Sequence, residues 1–273
     1  MSAPLLVLTD FTPAADDALQ YAAALAAQLQ MPLVLLHVNR DSIFDPETFT
    51  GRVPHRTEGE IAVALDERLR HLTVPTIPAM TAGRSTAAIL EVVEQHRPAL
   101  VVLGKPNVED LPDELVTTTS LDLLRATQYP LLVVPMGTLP QRPQSIVIAA
   151  DGAQFRLAAP AAAVAPLLQA LQAHLTVVHV AEPEDDDSCM GALSMVRQSG
   201  LLGNLAENAV HTRGARNLDV AKGIEHAAQA VHADLLVLIA RRHNILGRLF
   251  HRSITAHFIR HSRLPVLALP TAG

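Results

Sequence analysis

Two groups of side chains in this 273-residue sequence have types and spacing suited to chemistry. The first is Thr9-Asp10, a hydroxyl and a carboxylate closing the apolar run Leu5-Leu6-Val7-Leu8. If that run is a strand of a doubly wound sheet, its carboxyl end is where such sheets place ligands. An Asp there serves equally well as a cap for the loop that follows. The second group is C-terminal. From Ala240 onward there is no acidic residue, while Arg241, Arg242, Arg248, Arg252, Arg260 and Arg263 fall there with His243, His251, His257 and His261. In a chain of formal net charge −6 this is a local reversal of sign. Arg242, Arg252 and Ser253, the last opening the final helical pattern, form a candidate anion site. Guanidinium forks and helix N-terminal amides both suit a phosphate or carboxylate. The competing expectation is that these arginines pair with the acidic run Glu182–Asp187 or with the other half of the chain.

Other reactive residue types find no matching constellation. His257 and His261 are spaced to share one helix face, as zinc ligands can be, but no Glu flanks the first, and packing is the expected role. Cys189 has no partner motif, no Gly-x-Ser-x-Gly elbow occurs, and neither an enzyme nor a bound metal is expected. Glu182 to Asp187 reads as a solvated loop, with an acidic metal-binding loop as the alternative.

The elements that must position these residues alternate regularly. The run 5–9 is followed by Thr12-Pro13, a cap and a first-turn proline. A helical stripe then runs through Ala18, Tyr21, Ala22, Leu25, Ala26 and Leu29. Continuous apolar runs at 33–38, 100–104 and 131–134 read as strands covered on both faces. Helices near 61–71, 86–96 and 118–127 and a short strand near 74–78 complete a βαβαβαβαβ order. That order predicts a parallel, doubly wound α/β sheet.

The order then recurs. Ile146 to Asp151 matches Leu5 to Asp10 at an offset of 141, and Val177-Val178-His179-Val180 answers Leu35-Leu36-His37-Val38. Asp234 to Leu238 answers Ala99 to Leu103, and Pro265-Val266-Leu267 answers Pro130-Leu131-Leu132, both at 135. Four matches in order mark a tandem duplication, with domains expected at 1–138 and 144–273 and a Pro- and Gln-rich join near 137–145. In the second copy Pro166 lies inside the first helix pattern and should interrupt it. His37 and His179 occupy equivalent strand positions, which predicts a shared structural role.

Composition narrows the function classes. Hydrophobic residues make up 49% and charged residues 18%, too apolar for disorder. Aromatic residues are six Phe and two Tyr with no Trp, which disfavours stacking on single-stranded nucleic acid. The short basic segment comes with no docking motif, so nucleic acid is not an expected partner. A single cysteine, no stretch long enough to span a membrane and no basic leader predict a cytoplasmic protein.

The strand ending in Thr9-Asp10-Phe11, the helix with Ala18-Leu19 and Ala22, and Leu36-His37-Val38 resemble the first βαβ of the universal stress protein family in its tandem form. More specific is the last third of each half. ATP-binding members carry Gly, two residues, Gly, nine residues, Gly, then Ser or Thr. Here those positions read Gly104, Asn107, Thr117 and Thr118 in the first half, and Ile239, Arg242, Arg252 and Ser253 in the second. The resemblance implies strand order 3-2-1-4-5 in each half, with the halves paired through 131–134 and 266–269 as an intrachain pseudo-dimer. It also implies nucleotide-binding candidates in the first half: Thr9, Asp10, Val38, Gly104, Asn107, Thr117 and Thr118.

Glycines let backbone amides approach phosphate without an intervening Cβ. Losing two charged hydrogen bonds at roughly 1.5–3 kcal/mol each lowers affinity on the order of a hundredfold or more. The expectation is a non-catalytic binding or scaffold protein of the stress response with lost or weakened ATP binding, no cofactor, and a protein partner whose identity the sequence leaves open. One alternative is a nucleotide-dependent switch taking ATP, ADP or AMP in the first domain. Another is an anion or metabolite sensor using the arginine-rich loop of the second. Further homo-oligomerisation remains open.

Overall fold

The computed structural model describes residues 2–39, 57–83, 85–106, 119–182, 184, 187–206, 209–241 and 254–272. The first half runs β1 (Leu5–Thr9), α1 (Pro13–Leu29), β2 (Leu33–Asn39), α2 (Glu58–Leu69), β3 (Thr76–Ala82), α3 (Ser85–His96), β4 (Leu100–Lys105), α4 (Thr119–Ala126) and β5 (Leu131–Pro135). The second runs β6 (Ser145–Ala149), α5 (Ala159–Ala162), α6 (Val164–Leu171), β7 (His174–Ala181), α7 (Met190–Gln198), β8 (Val210–Arg216), α8 (Val220–Ala230), β9 (Leu235–Ala240), α9 (Ile254–His261) and β10 (Val266–Pro270).

Local signals set the helix ends. Thr12 caps α1 through its side chain, Pro13 occupies the first turn, and Gln30 ends the helix in the left-handed region at φ 53°. Thr57 and Glu60 form a reciprocal capping box on α2, and Asp219 caps α8. The interruption expected at Pro166 occurs. The helix is broken into α5 and α6, because Pro166 has no N–H to give the Ala162 carbonyl and sits instead in the first turn of α6.

The ten strands among the described residues join one sheet in the order β3-β2-β1-β4-β5-β10-β9-β6-β7-β8. Each half has the order 3-2-1-4-5 and is parallel throughout, so the crevice between its first and fourth strands is a topological switch point. The halves meet through the antiparallel pairing of β5 with β10, in the register Val133↔Val266, Leu132↔Leu267, Leu131↔Ala268. Leu132 and Leu267 are equivalent residues of the two copies, so their pairing puts a pseudo-two-fold axis between them.

Strand residues alternate between two covered faces. One face carries a continuous core crossing both halves, from Leu5, Val7 and Leu35 through Leu132 and Leu267 to Ile148 and Val177, under α1, α2, α6 and α7. The other face holds two separate clusters. The first of these also recruits Ala256 and Ile259 from α9, which packs across the axis.

Candidate functional site

The strand ends bring Thr9, Asp10, Val38 and Gly104 to one edge of the first half, since Thr9 pairs with His37 and β4 flanks β1 on the other side. Asn107, Thr117 and Thr118 lie outside the described residues, as do Arg242, Arg252 and Ser253. At the edge, Thr9 Oγ1 accepts from the Phe11 amide at 3.1 Å. Asp10 Oδ1 accepts from the Thr12 amide at 3.1 Å and from the Thr12 hydroxyl at 2.6 Å. Asp10 therefore caps the β1–α1 loop with one of its oxygens. Val38 is half-buried against the second-face core. An ideal Cβ on Gly104 would fall 2.2 Å from the Ala14 carbonyl oxygen, so β4 and the first turn of α1 touch backbone to backbone. That contact requires a glycine whether or not a ligand binds.

Beside these lies a stack the sequence reading missed. Phe11, at φ 65°, stacks on His37 with ring centroids 4.4 Å apart, and the Arg68 guanidinium lies 4.8 Å from the Phe11 ring. Arg68 is held bidentately by Asp16, at 2.5 and 2.9 Å, and also donates to the Phe11 carbonyl at 3.2 Å. His37 Nδ1 lies 2.9 Å from the Thr9 carbonyl, and His179 Nδ1 lies 3.2 Å from the Ala150 carbonyl. The two histidines do share one structural role, tying the end of the first strand to the second. Arg68 is a helix residue dozens of positions from its partners, and no local spacing announces it.

The second half is built differently at the same place. Ile239 stands where Gly104 stands, and an α1-like first turn would meet its side chain. The helix accordingly begins at Ala159, eight residues after Asp151, whereas α1 begins three residues after Asp10. The intervening segment is irregular and pairs with the chain end, with Ala158 donating to the Pro270 carbonyl and Ala272 to that of Arg156. Arg241 fastens it. Its Nη2 donates to Asp151 Oδ1 at 2.6 Å and to the Ala153 carbonyl at 2.8 Å, and Nη1 donates to the Gln154 carbonyl at 3.0 Å. The carboxylate matching Asp10 is thus neutralised by an arginine. A cavity of about 320 Å³ opens between this segment, β6, β7, β9 and the start of α9, lined chiefly by apolar side chains.

A third cluster joins the halves. Lys105, at the end of β4 and 8% exposed, donates from Nζ to the carbonyls of Arg260 (3.0 Å) and Ser262 (2.6 Å) at the end of α9. Burial pushes its ammonium down to about 8. The negative end of the α9 dipole and the two carbonyls hold the charge there. Arg260 is itself 9% exposed, and its Nε has no partner among the described residues.

The remaining candidates disperse. His257 lies 3.7 Å from Glu225 on α8, with its ring centroid 5.0 Å from that of His261. No group of three or more His, Cys, Asp or Glu able to hold a metal occurs among the described residues. Asp187 of the acidic run reaches Arg216 of the edge strand β8 at 3.3 Å, while Asp185, Asp186, Arg242, Arg248 and Arg252 lie outside the described residues. Cys189 is buried, and burial is the main cause pushing its thiol up, away from nucleophilic use.

Two parallel 3-2-1-4-5 units joined in one sheet define the class as a duplicated, doubly wound Rossmann-like α/β protein. The model of the Universal stress protein family matches residues 1–135 and again 143–270, and the chain belongs to that family. Solved structures agree on the fold. A universal stress protein from Archaeoglobus fulgidus DSM 4304 superposes at TM-score 0.72 with 15% identity, covering 98% of each chain. A putative universal stress protein from Pseudomonas aeruginosa UCBPP-PA14 superposes at 0.60 with 17% identity, covering 98% of this chain and 93% of that one. A search of curated proteins finds no significant match. No helix among the described residues is long and apolar enough to cross a membrane.

Proposed function

We propose that the protein is a cytoplasmic, non-catalytic binding module of the stress response in which the second half takes no ATP and the first takes it weakly at most. The observation carrying this reading is the Asp151–Arg241 lock beside Ile239, which engages the carboxylate after β6 with an internal guanidinium. In the first half, Gly104 has a packing reason of its own, and two of the three remaining loop positions, Asn107 and Thr117, are no longer glycine. The alternative, a nucleotide-dependent switch in the first half, draws on Thr9, Asp10, Val38 and Gly104 sharing one edge.

One experiment separates the two. The purified protein is analysed for co-purified nucleotide, and its thermal midpoint is followed against ATP, ADP and AMP with Mg²⁺. The binding module predicts no bound nucleotide and no saturable shift. A saturable stabilisation at micromolar nucleotide, approaching about 2.7 kcal/mol at a hundredfold excess over Kd, favours the switch.

A further inference from the structure

A cavity lies at the carboxyl edge of the second half, beside the irregular segment that follows β6. From it we infer that this half binds a small, uncharged molecule with a compact apolar body and at least one hydrogen-bonding group. The inference rests on the preceding reading that this half has ceased to be a nucleotide site.

Three observations carry it. First, at about 320 Å³ the cavity lies within the size range of small-molecule sites, at the β6/β9 switch point where doubly wound sheets take ligands. Second, its walls are aliphatic: Val178 and Val180 from β7, Ile224 from α8, and Leu238 and Ile239 from β9. Phosphates gain nothing from such walls, and among the described residues the rim charges of Arg241 and Asp151 pair with each other. An anion would have to break that pair, and a cation would have to displace the guanidinium.

Third, a few polar groups converge on the cavity. Thr255 lines it and is only 6% exposed, which brings one hydroxyl to an otherwise aliphatic wall. Asp151 Oδ2 and Arg241 Nε make no hydrogen bond among the described residues, leaving an acceptor and a donor at the rim. Aliphatic walls with a few convergent polar atoms are the usual make-up of a site for a neutral ligand.

The test titrates the full chain with N-phenyl-1-naphthylamine, a neutral fluorescent probe with an apolar body and one N–H. Wild type should show saturable fluorescence enhancement. Val220, 39% exposed at the cavity mouth, is replaced in Val220→Trp to fill the entrance from a position that tolerates bulk. Affinity should fall at least tenfold. Thr255→Val keeps the shape, removes the hydroxyl, and should weaken binding several-fold with an unchanged thermal midpoint. Absence of saturable binding to wild type, or equal binding to wild type and both variants, overturns the inference and leaves the proposed function standing. Displacement of the probe by AMP or ATP overturns both, because it would make the cavity a nucleotide site.

Discussion

Lys105 shows how much one side chain can carry in this fold. It is the last residue of β4, yet its ammonium serves the last turn of a helix in the other half. Replacing it by Met keeps most of the apolar stem but strands two buried carbonyls. Lys105→Met should therefore lose roughly 1–3 kcal/mol in urea unfolding. The folded pKa of about 8 lies below the ordinary 10.5, so between those values the unfolded chain binds more protons than the folded one. Wild type should accordingly gain stability relative to Lys105→Met as pH rises from 8 toward 10. Parallel pH curves for the two proteins would contradict this. Gly104 makes the opposite demand, for the absence of a side chain. A Cβ there meets the Ala14 carbonyl at 2.2 Å, with backbone on both sides and no flexible group to yield. Gly104→Ala should cost at least the roughly 1–3 kcal/mol of overpacking, read as a lower urea midpoint with little change in slope.

At the scale of elements, the sequence was legible wherever periodicity and local chemistry act within a few residues. The buried strands, the Thr12-Pro13 helix start, the break at Pro166 and the repeated histidines are all short-range signals, and all occur. The strand order and the pairing of the halves came from the family resemblance. What stayed hidden depends on partners distant in sequence. Arg68 finds Asp16 and Phe11, Lys105 finds the end of α9, and Arg241 finds the loop that replaces a helix turn. Arg241 stands next to the candidate anion ligand Arg242 in the basic segment, and among the described residues it takes the carboxylate of Asp151. Its pair with Asp151 is half solvated, so Arg241→Ala should change global stability by less than about 1 kcal/mol. Locally the effect should be larger. The Ala153 to Phe155 segment loses two carbonyl contacts with the guanidinium, and its backbone hydrogen exchange should accelerate while that of β6 and β9 stays constant.

For the whole molecule the sheet joins what duplication made separate. One core runs beneath both halves, and Leu132 opposite Leu267 lies at its symmetry axis. Two units sharing a buried interior should unfold together, so wild type is expected to show a single calorimetric transition. Charge at the axis tests that coupling. In Leu267→Asp a carboxylate enters a position 3% exposed within an apolar core that includes Leu132 and Leu235. Burying an unpaired carboxylate costs several kcal/mol, enough to separate the halves along β5 and β10. The variant should then show two transitions, the lower belonging to the second half, whose own β10 carries the charge. A single transition merely shifted to lower temperature would mean that the cooperative unit does not depend on this strand pair. In that case the cross-axis packing of α1 on α6 would be what binds the halves.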